Sequence, residues 1–222
     1  MKTFTAILLS LSFAGCAGES TDFSKVTPYD EGLDEFSCSR VDKVESPNWA
    51  LDIGRPYTLE FGRGSGMGGL ENTVIHADGG VVLTRFTTWN IPEDWSASLK
   101  SYNGAMPRGW AAYGAGSLAR RATSRLSAGS VEHIARAVVA YGLLDMPKAY
   151  HANVNDGTQW VFWIRQDGRT KSVYFNNHFP VSIRRFATVL DRELEIARPS
   201  PWIPLTEEQF KASEKDIWDS LR

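Results

Sequence analysis

Two β-rich runs joined by an Asp-Gly pair constrain the fold of this chain more than any other feature of its sequence. Within residues 159–164, Trp160, Phe162 and Ile164 alternate with Gln159, Val161 and Trp163, as the two faces of a strand do. Residues 166–169 (Gln-Asp-Gly-Arg) separate this run from a second β-rich run over residues 170–175. Asp-Gly favours the two-residue turn whose twist matches that of the flanking strands. The sequence therefore predicts an antiparallel hairpin here.

A second group of β-rich runs lies nearer the N-terminus. Residues 57–61 alternate as a strand does, and residues 62–69 are dense in glycine, which predicts a turn. Residues 71–77 and 81–88 are again β-rich, and Asp78-Gly79-Gly80 between them is typical of a hairpin turn. These runs predict an antiparallel meander of three strands.

Three amphipathic patterns predict helices. The first begins after Ser127, a typical N-cap residue, and ends before Gly142. The second covers residues 183–194, where apolar side chains recur at helical spacing. The third begins at a capping box formed by Thr206 and Gln209.

The order of these patterns is β-β-β-α-β-β-α-α, without the strand–helix–strand units of a parallel sheet. It predicts an α+β fold: an antiparallel sheet of about five strands, packed on one face by two or three helices. A chain of 222 residues has the size of one such domain. We place the domain at residues 49–222, with an irregular, aromatic-rich insertion at about 89–125.

The N-terminus has the features of an export signal. Lys2 precedes an apolar run over residues 4–13, and small residues follow. Residues 13–16 (Phe-Ala-Gly-Cys) resemble the bacterial lipobox, with Phe13 where Leu is usual. The resemblance implies that residues 1–16 are a lipoprotein signal, that Cys16 is lipidated, and that the membrane is bound through this lipid. Ala17 at the next position favours the outer membrane of the cell envelope. A soluble periplasmic or secreted protein is the alternative if Cys16 is not lipidated.

Residues 17–48 are rich in Ser, Gly, Asp and Glu and carry an acidic cluster at residues 30–35. We expect this stretch to be a flexible acidic tether. Only two cysteines occur, Cys16 and Cys38, so lipidation of the first would leave no internal disulfide.

Composition and motifs argue against several functions. The net charge of −2 gives no support for nucleic-acid binding. Residues 64–69 match G-x-G-x-x-G, but a strand pattern follows where a nucleotide-binding loop needs a helix. The four histidines fit no zinc-binding spacing. We therefore expect no cofactor, no metal and no catalytic residues.

The alternative of a hydrolase would draw on Asp156 and His178, beside the hairpin, although no G-x-S-x-G motif supplies a nucleophile.

The insertion suggests another alternative, a glycan- or peptidoglycan-binding module. Its rings include Trp89, Trp95 and Trp110, and exposed aromatic faces can stack on sugars or hold peptides. These three residues are candidate partner contacts.

Residues 63–70 (Arg-Gly-Ser-Gly-Met-Gly-Gly-Leu) resemble the R-S-G-G-F-A-G-L segment of the emfourin-like proteins, small inhibitors of thermolysin-like zinc metalloproteases. Similar features recur at the Leu126-Ser127 helix start, at residues 144–147, at residues 156–160 and at Asp167-Gly168. The resemblance spans roughly residues 57–197. It departs from the family in the insertion, the lipid tether and the final helix.

The resemblance implies the same fold and a non-enzymatic domain that inhibits a protease. It assigns no contact residues. The glycine-dense turn itself suggests Arg63, Met67 and Leu70, because a rigid turn loses little entropy on binding and Met67 is an adaptable apolar side chain.

Overall fold

The computed structural model describes residues 22–25, 37–42, 49–65, 69–86, 119–154, 157–206 and 208–209. These residues form nine strands and two α-helices. The strands are β1 (Cys38–Asp42), β2 (Thr58–Ser65), β3 (Gly69–Ile75), β4 (Gly80–Phe86), β5 (Ala119–Arg125), β6 (Ala149–Ala152), β7 (Thr158–Gln166), β8 (Arg169–Asn176) and β9 (Ile203–Pro204). The helices are α1 (Ala128–Ala140) and α2 (Val181–Ala197).

All nine described strands form one sheet, in the order β1-β6-β8-β7-β2-β3-β4-β5-β9. Every neighbouring pair is antiparallel except β6 and β8, which are parallel. The α+β class is confirmed. The expectation of about five strands is wrong in number: the predicted meander and hairpin form the centre of the sheet, and strands at both edges widen it.

One face of the sheet carries both helices and the core. Side chains of a strand alternate between the two faces. Leu59, Phe61 and Phe162 point to the helix side, where they pack with Phe186 of α2 in one buried cluster. Full burial of a side chain of this size contributes about 1.5–3 kcal/mol. We call this side the inner face and the opposite side the outer face.

The predicted helix ends are confirmed. The Ser127 hydroxyl oxygen accepts a hydrogen bond from the backbone N–H of Ser130 at the start of α1. Gly142, just after α1, adopts the left-handed conformation with φ of 65°. The capping box is also present, because Thr206 and Gln209 exchange hydrogen bonds of 3.0 and 3.2 Å. The helix predicted beyond Gln209 lies outside the described residues.

The two Asp-Gly turns are confirmed as hairpin turns. Asp167 and Gly168 both have positive φ, at 51° and 78°, which is the conformation of the two central residues in the favoured hairpin turn. Gly79 has φ of 80° between β3 and β4. Its neighbour Asp78 accepts a hydrogen bond from the N–H of Gly80.

Two boundaries need correction. Residues 38–42, expected in the tether, form β1 and pair with β6 through the backbone. Phe23 also contacts the folded domain, since its ring lies 5.2 Å from that of His133. Residues 119–125, expected in the irregular insertion, form β5 because their backbone pairs with β4 along its whole length. Among the described residues, no helix has the length and apolar character needed to span a bilayer.

Candidate functional site

The glycine-dense segment is a long hairpin rather than a long turn. Residues 62–65 belong to β2, and Gly69 already belongs to β3. Because Ser65 pairs with Gly69, only residues 66–68 connect the two strands. Strand β2 also pairs with β7 up to Ser65, so the hairpin is supported by the sheet almost to its tip. The expectation of a turn over residues 62–69 is therefore wrong at both ends, because residues 62–65 and residue 69 are in strands.

Arg63 fixes this hairpin to a helix. Its guanidinium donates two hydrogen bonds of 2.7 Å to the two carboxylate oxygens of Asp191 on α2. A third contact of 3.4 Å reaches Glu71 on β3. The side chain is only 13% exposed. Charge-assisted, two-pronged pairs of this kind are among the strongest and most directional hydrogen bonds in proteins.

The ion pair extends into a small network at the same end of the inner face. Glu71 accepts hydrogen bonds of 2.6 and 3.1 Å from Arg85 on β4. The guanidinium of Arg85 lies 5.0 Å from the centre of the Trp202 ring, which is a cation–π distance. The network thus connects β2, β3, β4 and α2 next to the hairpin tip.

The structure describes some of the predicted contact residues and not others. Arg63 is held by partners within the chain, so it positions the hairpin. Leu70 lies on β3, where its backbone pairs with Gly64 and Phe86. Several predicted residues lie outside the described part of the chain: Cys16, Met67, Trp89, Trp95, Trp110 and Asp156.

His178, a candidate of the hydrolase alternative, follows β8. Its ring lies 6.0 Å from that of Tyr150. The described residues include no group of three or more His, Cys, Asp or Glu side chains placed to hold a metal ion.

A second polar cluster lies at the β1 edge of the sheet. The Nε2 atom of His151 lies 3.2 Å from a carboxylate oxygen of Asp42 and 3.0 Å from the guanidinium of Arg40. The hydrogen bond with His151, helped by Arg40, keeps the pKa of Asp42 below its ordinary value. These residues come together only because β1 pairs with β6, and no local motif signals that pairing.

A cavity of about 390 Å³ lies beside the end of α1. The indole nitrogen of Trp49, one of the residues that line it, is buried without a hydrogen-bond partner among the described residues. The cavity is lined by Trp49, Ala50, Leu51, Val138, Val139, Gly142, Leu144 and Asp145. Arg63 of the hairpin is not among the described residues that line it.

Comparison with known proteins gives no family assignment for the chain. No protein-family model matches it, and no curated protein matches it. The resemblance to emfourin-like inhibitors therefore depends on the sequence motifs described above.

Proposed function

We propose that this protein is an envelope-anchored lipoprotein whose folded domain binds and inhibits a thermolysin-like zinc metalloprotease through the tip of the β2–β3 hairpin. The observation that carries this proposal is the two-pronged ion pair between Arg63 and Asp191 at the base of that tip. The partner class follows from the emfourin-like motif at residues 63–70.

Rigidity is the physical basis of the proposal. A hairpin whose strands are already ordered loses less conformational entropy when it binds, so more of its contact energy appears as affinity. Here β2 is paired on both sides, by β3 and β7, and Arg63 ties the hairpin to α2. Met67 belongs to the connecting residues and is an apolar, adaptable side chain suited to a hydrophobic pocket.

An inhibition assay tests the contact. The exported chain from residue 17 onward, which retains every described residue, is titrated against a thermolysin-like protease. We expect inhibition, and we expect Met67→Asp to raise the inhibition constant at least about tenfold, because a carboxylate is costly to bury in an apolar pocket. Ala77→Asp in the turn at the other end of β3 is the matched control and should inhibit like the wild type. Absence of inhibition by the wild type would dismiss the partner, and normal inhibition by Met67→Asp would dismiss the tip.

The support from Arg63 is tested separately. Asp191→Asn keeps the shape of the side chain but removes its charge. We expect it to weaken inhibition by several fold, because the two hydrogen bonds that fix Arg63 lose the charge of their acceptor. Glu195→Gln changes an exposed carboxylate on the same helix and serves as the control.

The lipid anchor is tested by metabolic labelling with a fatty-acid analogue. We expect the full chain to incorporate label and to sediment with membranes. Cys16→Ser should abolish both, because Cys16 is the lipidated residue of the proposed lipobox. Cys38→Ser is the matched control, since Cys38 lies on β1. Label that persists in Cys16→Ser would refute the anchor.

A further inference from the structure

Phe23 fixes the N-terminal segment to the helices. Its ring stacks on the ring of His133, with 5.2 Å between the two centres. It also meets the ring of Tyr141 edge-on at 5.6 Å, and the hydroxyl of Tyr141 donates a hydrogen bond of 3.1 Å to the carbonyl oxygen of Phe23. His133 belongs to α1, and Tyr141 directly follows this helix. Phe23 thus packs against the hydrophobic core from the helix side of the sheet.

The contact holds both the side chain and the backbone of the segment. A ring that is stacked on one partner and edge-on to another is fixed in position and direction. The backbone forms a 3-10 turn, Phe23–Lys25, closed by a hydrogen bond of 3.0 Å from the N–H of Lys25 to the carbonyl oxygen of Asp22. His133 is itself held by Glu193 of α2, 2.6 Å from its Nδ1 atom. The segment is therefore docked on a surface to which both helices contribute.

The docking point lies close to the proposed lipid anchor along the chain. Residues 17–22 separate Cys16 from Phe23, and a fully extended chain of that length spans at most about 25 Å. If the first contact were instead Cys38 of β1, residues 17–37 would intervene, and the extended chain would reach about 75 Å. Docking of Phe23 thus shortens the effective tether to about a third.

We propose, on the basis of the lipid anchor proposed at Cys16, that the docked segment turns the helix layer toward the membrane. The helix layer consists of α1, α2 and the docked residues 22–25. A globular chain of 222 residues is about 40 Å across, which exceeds the reach from Cys16 to Phe23. While Phe23 is docked, the outer face of the sheet cannot turn to the lipid surface, because that would carry Phe23 too far from the membrane.

The charges of the helix layer suit contact with lipid headgroups. Lys25 is paired with Asp22, and Arg136 on α1 is paired with Glu132. All four side chains are at least half exposed. A surface of solvated, paired charges lies against headgroups and does not enter the hydrocarbon core, where charges are costly. We therefore expect the orientation to depend on the short chain to Phe23 and not on anionic lipid.

Energy transfer to labelled lipid tests the orientation. The full lipidated chain, carrying Cys38→Ser, is bound to phosphatidylcholine vesicles that contain a rhodamine-labelled lipid. A donor dye is attached at Ala140→Cys, beside Tyr141, or at Thr170→Cys on the outer face, and both positions are exposed. We expect more transfer from position 140 than from position 170, and the same difference when phosphatidylglycerol is added.

Phe23→Ala is the variant that releases the segment. It should lower the transfer from position 140 until the two positions are alike, while the chain stays bound to the vesicles. Lys25→Ala is the matched control, because it changes an exposed side chain of the same turn, and it should keep the difference. Equal transfer from the two positions in the chain with Phe23, or a difference that survives Phe23→Ala, would overturn the proposal.

Photo-crosslinking separates the docking from the anchor. A benzophenone amino acid replaces Phe23 in the exported chain from residue 17 onward, which carries no lipid, and the crosslinked peptides are identified by mass spectrometry. We expect crosslinks to α1 or Tyr141. Crosslinks only to other segments or to a second copy would overturn the docking. If the expected crosslinks form but the full chain does not bind vesicles, the lipid anchor is refuted and the orientation with it, while the docking stands.

Discussion

The Nδ1 atom of His133 on α1 lies 2.6 Å from a carboxylate oxygen of Glu193 on α2. Glu193 is only 6% exposed, so this hydrogen bond joins the two helices at a part-buried position. The ring of Phe23 stacks on His133, and the carbonyl oxygen of Phe23 accepts a hydrogen bond of 3.1 Å from the hydroxyl of Tyr141. One histidine therefore links both helices to the N-terminal segment.

Loss of the Glu193 carboxylate should destabilise the domain. In Glu193→Ala, the His133 nitrogen loses its partner in a part-buried position, which costs about 1–3 kcal/mol. Urea unfolding of the wild type and the variant measures this difference. Glu195→Ala is the matched control, because that carboxylate is exposed on the same helix and its loss should change stability by less than about 0.5 kcal/mol. Equal stability of the two variants would contradict a structural role for the pair.

Tyr57 fixes the segment before β2 to the first helix. Its side chain is 2% exposed, and its hydroxyl donates a hydrogen bond of 2.7 Å to the carbonyl oxygen of Val131. Tyr57→Phe keeps the ring and removes only this bond, so we expect a loss of about 1 kcal/mol in unfolding free energy. Thermal and urea unfolding should agree on this value. A variant as stable as the wild type would show that the hydroxyl bond makes no net contribution.

Gly157 cannot be replaced without moving its neighbour. It has φ of +134°, and a Cβ atom there would lie 1.9 Å from the side-chain oxygen of Asn177. That oxygen accepts a hydrogen bond of 2.8 Å from the N–H of Thr158, so it cannot shift freely. We expect Gly157→Ala to cost more than about 2 kcal/mol in stability. Gly54→Ala is the control, because a Cβ at Gly54 would have its nearest neighbour at an ordinary 3.6 Å.

Local chemistry explains which elements the sequence could predict. The β7–β8 hairpin was predictable because Asp167 and Gly168 tolerate positive φ and the flanking strand alternates. Helix α1 was predictable because Ser127 caps it and apolar residues recur on one face. Such signals depend only on residues close together in the chain, so they predict single elements well and their pairing poorly.

The missed strands lack these signals. Strand β5 is largely polar and basic, and only Ala122 among its described side chains is buried. Strand β1 has five residues and is held by the backbone of β6, more than 100 residues away in the chain. Its place in the sheet is therefore a tertiary property that no local pattern reveals.

The candidate site also combines a feature that the sequence could predict with one that it could not. The glycines and the emfourin-like motif drew attention to residues 63–70, but the sequence could not predict the partner that holds Arg63. That partner, Asp191, is 128 residues away in the chain. In the sequence, nothing distinguishes it from the other charged residues of the same helix. The sequence therefore indicated the hairpin as a surface of interest, while the tertiary structure revealed that Arg63 supports it from within.

The buried amine of Lys171 predicts a specific dependence of stability on pH. This side chain on β8 is 4% exposed, and its amino group donates a hydrogen bond to the carbonyl oxygen of Met146. Burial lowers the pKa of the amino group, and the nearby Asp145 carboxylate opposes this shift to a smaller extent. The folded chain therefore binds this proton less tightly than the unfolded chain does.

The sign of the effect follows from that difference in proton binding. Between the lowered pKa of the folded state and the ordinary value of 10.5, the unfolded chain holds more protons than the folded chain. The contribution of Lys171 to the free energy of unfolding must therefore rise with pH in this range. The difference in unfolding free energy between the wild type and Lys171→Met should therefore move in favour of the wild type as pH increases from neutrality toward 10.5. Buried tyrosines titrate in both proteins and cancel in this difference. Lys148→Met is the matched control because that side chain is exposed. Urea unfolding across this range measures the trend, and a difference that stays flat or moves in favour of Lys171→Met would show that burial does not govern this amine.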